Sequence, residues 1–257
     1  MNLVPGSREF QRKQLLAQPY PKEWEPFLTR NIGQYAWLSP DQRARLRNDA
    51  RILVEEKRWE GCDGLSMTAE IQVTIAGQVA LMLLGLRHDY FSRVLSIVVF
   101  PTEFEVPRED EDAEATVLGG QSSDEGAVFL SWDAVLEEGR DPSLGDNLVI
   151  HEFAHQLDFL DGYCTGTPAL RSREQTVRWR RVMTQEFARL TKDLAEDRET
   201  FLGDYAGTHA SEFFAVASER FFTLPEELQR YHPSLHAVLS EYYGVDSMRW
   251  FEGREPK

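Results

Sequence analysis

The sequence predicts an α+β protein, a helical N-terminal portion packed on a core that carries a small sheet. Helical patterning fills the first third of the chain, two short β-branched runs lie close together near its middle, and helical patterning returns from Ser143 onward. The expected division is a helical portion over residues 1–90 and a core over 91–257, within one compact domain or two.

Each element has a local reason. Ser39 followed by Pro40 supplies an N-cap and a first helical residue. The amphipathic segment 42–57 continues that helix, with Leu46, Ile52, Leu53 and Val54 set among charged residues. Gly61-Cys62-Asp63-Gly64 punctuates the chain. Residues 68–86 then resume a helix that is apolar on most sides, as an interior helix is. The run 94–100 (VLSIVVF), closed by Pro101, reads as a buried strand that 102–106 extends past a break. Glu109-Asp110-Glu111-Asp112 has no apolar periodicity and reads as a solvated loop. Residues 126–132 (GAVFLSW) form a second strand candidate.

Composition narrows the function. With 28 Lys and Arg against 43 Asp and Glu, the net charge is −15. Such a surface repels phosphate backbones and anionic headgroups, which argues against nucleic-acid and membrane partners. The first twenty residues lack an apolar core of signal-peptide length, and no stretch reaches the roughly 20 apolar residues of a membrane span. Two cysteines, Cys62 and Cys164, make no disulfide framework. The expectation is a freely soluble cytoplasmic protein.

The chemistry concentrates at His151-Glu152-Phe153-Ala154-His155, an HExxH sequence. Asp146 can cap a helix beginning at Asn147, and Gly162 can end it. On that helix His151 and His155 lie about 40° apart on one face, with Glu152 about 60° from His155. Two imidazoles and a neighbouring carboxylate suit one tetrahedral zinc ion. The bland alternative is a pair of core histidines satisfied by hydrogen bonds. Leu148, Ile150, Phe153 and Leu157 would bury the helix, however, and a bound dication offsets the desolvation of three polar side chains.

Three residues compete to be the third ligand. Asp161 lies six positions after His155, but Asp158 stands where that spacing needs a turn-forming glycine. Glu212 sits on a strongly helical, phenylalanine-rich segment, 211–222, with Glu219 about 20° off the same face. Glu212 as ligand, with Glu219 holding a ligand histidine by its other ring nitrogen, would explain two carboxylates on an apolar helix. His209, in a turn before that helix, ranks lower. His88, His232 and His236 read as solvent-facing or structural.

The runs HEFAHQLDFLDG (151–162) and DYAGTHASEFFAVASERFF (204–222) resemble the Mlc titration factor A family, also called glucose-regulated metallopeptidases. The resemblance extends to PKEWEPFLTRNIGQYAWLSPDQRARLR (21–47) and WEGCDGLSMTAEIQVTIAGQVALMLLGL (59–86). Around the site alone, the sequence is more distantly similar to the anthrax lethal factor catalytic domain. The resemblance implies a zincin-like core with a gluzincin-type zinc site. His151, His155 and Glu212 would be ligands, Glu152 the catalytic carboxylate, and Tyr205 a hydrogen-bond donor to the reacting oxygen. It further implies aminopeptidase-like activity on a peptide or protein and binding of a glucose-type transcriptional repressor. Thermolysin-like sites carry an acidic residue four positions after the glutamate ligand. Here that position is Val216, which leaves Glu219 or Asp158 to support a ligand ring.

Two functions follow from these readings. One is a zinc peptidase, with the strand 126–132 as the track beside which a peptide lies extended. The other is a regulator that holds a DNA-binding repressor away from its operator, its acidic surface matching a basic partner.

Overall fold

The structure, a computed structural model, describes residues 6–106, 116–118, 120–122, 126–159 and 164–251. The acidic run 109–112, Asp161 and Gly162 lie outside the described residues.

The N-terminal third is helical: α1 (Arg8–Ala17), α2 (Glu25–Asn31), α3 (Pro40–Glu56) and α4 (Ala69–Leu83). Helix α3 starts as its sequence dictates. Ser39 accepts from the Gln42 amide while the Gln42 side chain accepts from the Ser39 amide, a full capping box. Thr68 caps α4 by accepting from the Ile71 amide. Residues 71 and 73–83 of α4 are buried, so this helix is the spine of the core. It packs on α2 and α3 on one side and on the later helices α5 (Trp132–Arg140) and α6 (Leu148–Asp158) on the other. A Cβ at Gly77 of α4 would come within 2.4 Å of Ile32 and 2.7 Å of Leu28, so glycine is what lets α2 approach so closely.

A strand precedes α4 where the sequence showed only punctuation. This strand, β1 (Arg58–Gly61), pairs in parallel with β2 (Ser96–Phe100), Arg58 opposite Ser96. Strand β2 pairs in parallel with β6 (Ala127–Ser131), which pairs antiparallel with β5 (Gly120–Ser122). The four-stranded sheet therefore has the order β1-β2-β6-β5. Two more strands, β3 (Phe104–Val106) and β4 (Thr116–Leu118), form a separate antiparallel pair. Few, grouped strands among many helices make this the α+β architecture the sequence predicts.

One expectation needs correction. Strand β6 cannot be the track for an extended peptide, because β2 and β5 already occupy both of its hydrogen-bonding edges. Among the described residues, the outer edge on that side belongs to β5.

The C-terminal half is helical again, with α7 (Arg173–Ala195), α8 (Ala210–Thr223), α9 (Pro225–Tyr231), α10 (Pro233–Tyr243) and α11 (Met248–Phe251). Helix α8 packs directly on α6, burying Phe213, Phe214, Phe221 and Phe222. No helix among the described residues is long and apolar enough to cross a membrane.

Candidate metal centre

Helix α6 carries the HExxH residues, and its start is unusually well fastened. Its cap is Asn147, not Asp146: the Asn147 side chain accepts from the Ile150 amide at 2.9 Å. Asp146 instead pairs with Arg220 of α8 at 2.9 Å. The Asn147 side chain also donates to Gln78 of α4 at 2.9 Å. Glu138 of α5 accepts from the Leu148 amide at 2.5 Å, one of the amides a helix start leaves unpaired. Burial pushes that carboxyl up to about 7, against the pull of the Leu148 amide.

Helix α8 supplies the facing groups. Glu212 lies in its first turn and Glu219 two turns later. The Glu212 Oε2 atom is 3.1 Å from His151 Nε2 and 3.3 Å from His155 Nε2, and the two Nε2 atoms are 3.2 Å apart. Glu219, only 5% exposed, works with both oxygens. Its Oε1 lies 2.7 Å from His151 Nδ1, and its Oε2 accepts from the Asn147 backbone amide at 2.7 Å. With Glu219 taking the Nδ1 proton, a neutral His151 ring turns its Nε2 lone pair toward the Glu212 oxygen. Acceptors converging at this distance are reconciled by a metal ion between them or, in its absence, by a proton on the ring.

Without an ion, protons and carboxylates hold one another in this cluster. Burial opposes a charge on His151, yet its contacts with Glu212 and Glu219 raise its pKa well above the ordinary value. Burial likewise works against the Glu212 charge, and the two histidines overcome it, holding that carboxyl far below the usual range. Glu152, 4% exposed, differs: burial lifts its carboxyl to about 7 against the two histidines, with the Glu212 and Glu219 charges adding to the rise. A Cβ built at Gly120 of β5 would stand 2.8 Å from Glu152 Oε1 and 2.5 Å from Leu148 Cδ1. Glycine thus lets the sheet's outer strand pass against this carboxylate.

His151, His155 and Glu212 are the one group of potential metal-holding side chains that converges in this way among the described residues. Tyr205 stands beside it, 57% exposed, its ring centre 5.9 Å from that of His151. Desolvation and the Glu212 carboxylate raise its phenol pKa, so the hydroxyl keeps its proton. His209 is exposed at the N-cap of α8 and does not join the cluster. Asp158 spends its carboxylate on the loop beyond α6, accepting from the Gly166 and Thr167 amides at 2.7 Å each. His232 and His236 are both buried, and His232 Nδ1 meets Glu186 at 2.8 Å.

Comparison with known proteins decides the family. The model for glucose-regulated metallo-peptidase M90 matches residues 7–244. The chain belongs to this metallopeptidase family. Within it, the chain is 34% identical over 257 residues to the uncharacterized protein slr2042 of Synechocystis, covering 95% of this chain and 91% of that one. It is 29% identical over 241 residues to proteins named Mlc titration factor A in Yersinia pestis and Yersinia pseudotuberculosis, covering 89% of this chain and 87% of each relative. The family membership implies a metal, and the described cluster offers it a place.

Sequence reasoning missed the supports of this cluster: Asn147, Gln78, Glu138 and Gly120. Asp146 and Asn147 are adjacent and both favoured caps, and contacts from α8, Arg220 on Asp146 and Glu219 on the Asn147 amide, accompany the use of Asn147. Gln78, a lone amide within an apolar helix, was the available signal for a buried polar partner.

Proposed function

We propose that the protein is a zinc-dependent metallopeptidase of the gluzincin type with a zincin-like core, acting in the cytoplasm on a peptide or protein in an aminopeptidase-like manner. The observation that carries this reading is the His151–His155–Glu212 triangle. Donors arranged tetrahedrally about 2.0–2.1 Å from zinc are about 3.3 Å apart, and the three separations here are 3.1, 3.2 and 3.3 Å. Two imidazoles and one carboxylate are also the donor set zinc favours.

Zinc bound there would supply a Lewis acid that brings the pKa of a water molecule to about 7. The remaining steps belong to the chain's own groups. Glu152, buried beside the two histidines, takes a proton from the attacking water and passes it to the leaving amine. The Tyr205 hydroxyl donates to the oxygen on which charge develops. The outer edge of β5, beside Glu152, offers main-chain groups for an extended peptide to add as a strand. Glu219 orients the His151 ring.

Glu152→Gln tests the reading, because it keeps shape and removes the base. The variant should retain metal and lose about 10²–10⁴-fold in turnover. Undiminished cleavage of a peptide library would refute the mechanism. Comparing N-terminally free and blocked peptides reads the aminopeptidase-like preference. A second reading, titration of an Mlc-like repressor, is favoured by the name of the Yersinia relatives and by the net charge of −15. Repressor release that survives Glu152→Gln would assign that role to binding, and release that fails would assign it to proteolysis.

A further inference from the structure

The chain's charge is unevenly spread. Residues 171–181 contain five arginines and one acidic residue, Glu174, in a protein whose net charge is −15. Helix α7 buries Trp179, Val182, Met183 and Leu190 and turns its other side outward. On that outer side Arg173, Arg180 and Arg181 all project within about 60° of Val177, which is itself 62% exposed, with Glu174 the one carboxylate among them.

Two neighbouring arginines are engaged: Arg178 pairs with Glu241 at 2.6 Å, and Arg171 donates to the Gly85 carbonyl at 3.3 Å. Arg173, Arg180 and Arg181 have no carboxylate partner among the described residues, although acidic residues outnumber basic ones by 15. These three guanidinium groups leave their charge to solvent, and a carboxylate-bearing ligand can pair with them.

We propose that this face of α7 docks an acidic segment of a partner protein that carries an apolar side chain for Val177. Guanidinium forks match carboxylates in bidentate geometry. An apolar centre ringed by arginines is the composition of a protein interface. A nucleic acid or an anionic membrane fits less well. Three cations on one helix face give a small footprint, and the remaining surface repels a long polyanion. The surface lies opposite the α7 side that packs on the core, and the inference does not depend on the peptidase reading.

The test uses the full chain and a fluorescein-labelled short helical peptide of glutamate and leucine, followed by anisotropy at low and physiological salt. Reversing Arg180 and Arg181 together to glutamate should weaken binding about tenfold or more and flatten its salt dependence. Val177→Ser should weaken it about threefold with the salt dependence retained. Peptidase turnover and circular dichroism should be unchanged in both variants, since all three positions are exposed. Unaltered peptide binding by the charge reversal would overturn the proposal, as would indifference to Val177→Ser. So would tighter binding of duplex DNA or phosphatidylglycerol vesicles than of the peptide, or self-association in sedimentation velocity that the reversal abolishes.

Discussion

Replacing Glu219 with glutamine changes one oxygen to an NH2 group and little else, yet it should disable the metal centre. Glu219 accepts two protons at once, from His151 Nδ1 and from the Asn147 amide, each at 2.7 Å. Glutamine has one acceptor for these two donors. If its oxygen keeps the ring, its NH2 faces the Asn147 N–H, and a buried amide goes unpaired at a cost of about 1–3 kcal/mol. If its oxygen keeps the amide, its NH2 donates to Nδ1, the ring proton moves to Nε2, and His151 has no lone pair for an ion. Either way the affinity for zinc should fall about 10–100-fold, the range for partners of ligand histidines. That is about 1.4–2.7 kcal/mol. Competition against a fluorescent chelator at neutral pH measures it, with urea unfolding of the metal-free protein reporting the amide's share. An affinity within about twofold of wild type, in a folded variant, would refute the role given to Glu219.

Tyr205→Phe should keep the metal and lower kcat about a hundredfold with little change in KM, because the hydroxyl acts on charge that develops during the reaction. Stopped turnover assays with parallel metal analysis decide it, and an unchanged kcat would remove Tyr205 from the mechanism. His88 sets an acid limit on stability. Burial first, and the Arg45 charge second, lower its pKa from 6.5 to about 4. The unfolded chain therefore binds this proton at a higher pH than the folded one, and stability is lost as pH falls from about 6.5 to about 4. The full loss is at most about 3 kcal/mol. His88→Phe keeps the edge-to-face contact with Tyr90 and should remove most of that loss in urea titrations at pH 7 and near pH 4. Parallel wild-type and variant profiles would refute it.

Legibility in the sequence follows how local each cause is. Ser39-Pro40 with Gln42 specifies the start of α3 within four residues, and the continuous apolar run of α4 announces an interior helix. The HExxH spacing needs only helical periodicity to bring His151 and His155 together. Glu212 and Glu219 were legible for another reason, as two carboxylates on one stripe of a phenylalanine-rich helix. Strand β1 was hidden because an edge strand with the burial of Arg58, Trp59, Glu60 and Gly61 has no apolar alternation to display. The place of β6 inside the sheet was hidden as well, since strand order depends on partners 30 residues or more away, such as β2. The residues that engage Asp146 and the Asn147 amide, Arg220 and Glu219, lie more than 70 residues later in the chain, beyond any local pattern.

The fastening between α8 and the turn before α6 has a consequence for the protein stripped of its ion. Glu219 grips the Asn147 amide, Arg220 grips Asp146, and Thr223 donates to the Gly145 carbonyl at 2.6 Å, all from one end of α8. None of these three bonds passes through the triangle of donors. The two helices are thus clamped in register by ordinary protein contacts, and chelation should vacate the centre without dismantling it. Unlike a small domain that collapses when its zinc leaves, this scaffold can wait empty and be reloaded, so metal supply can govern activity as a reversible valve.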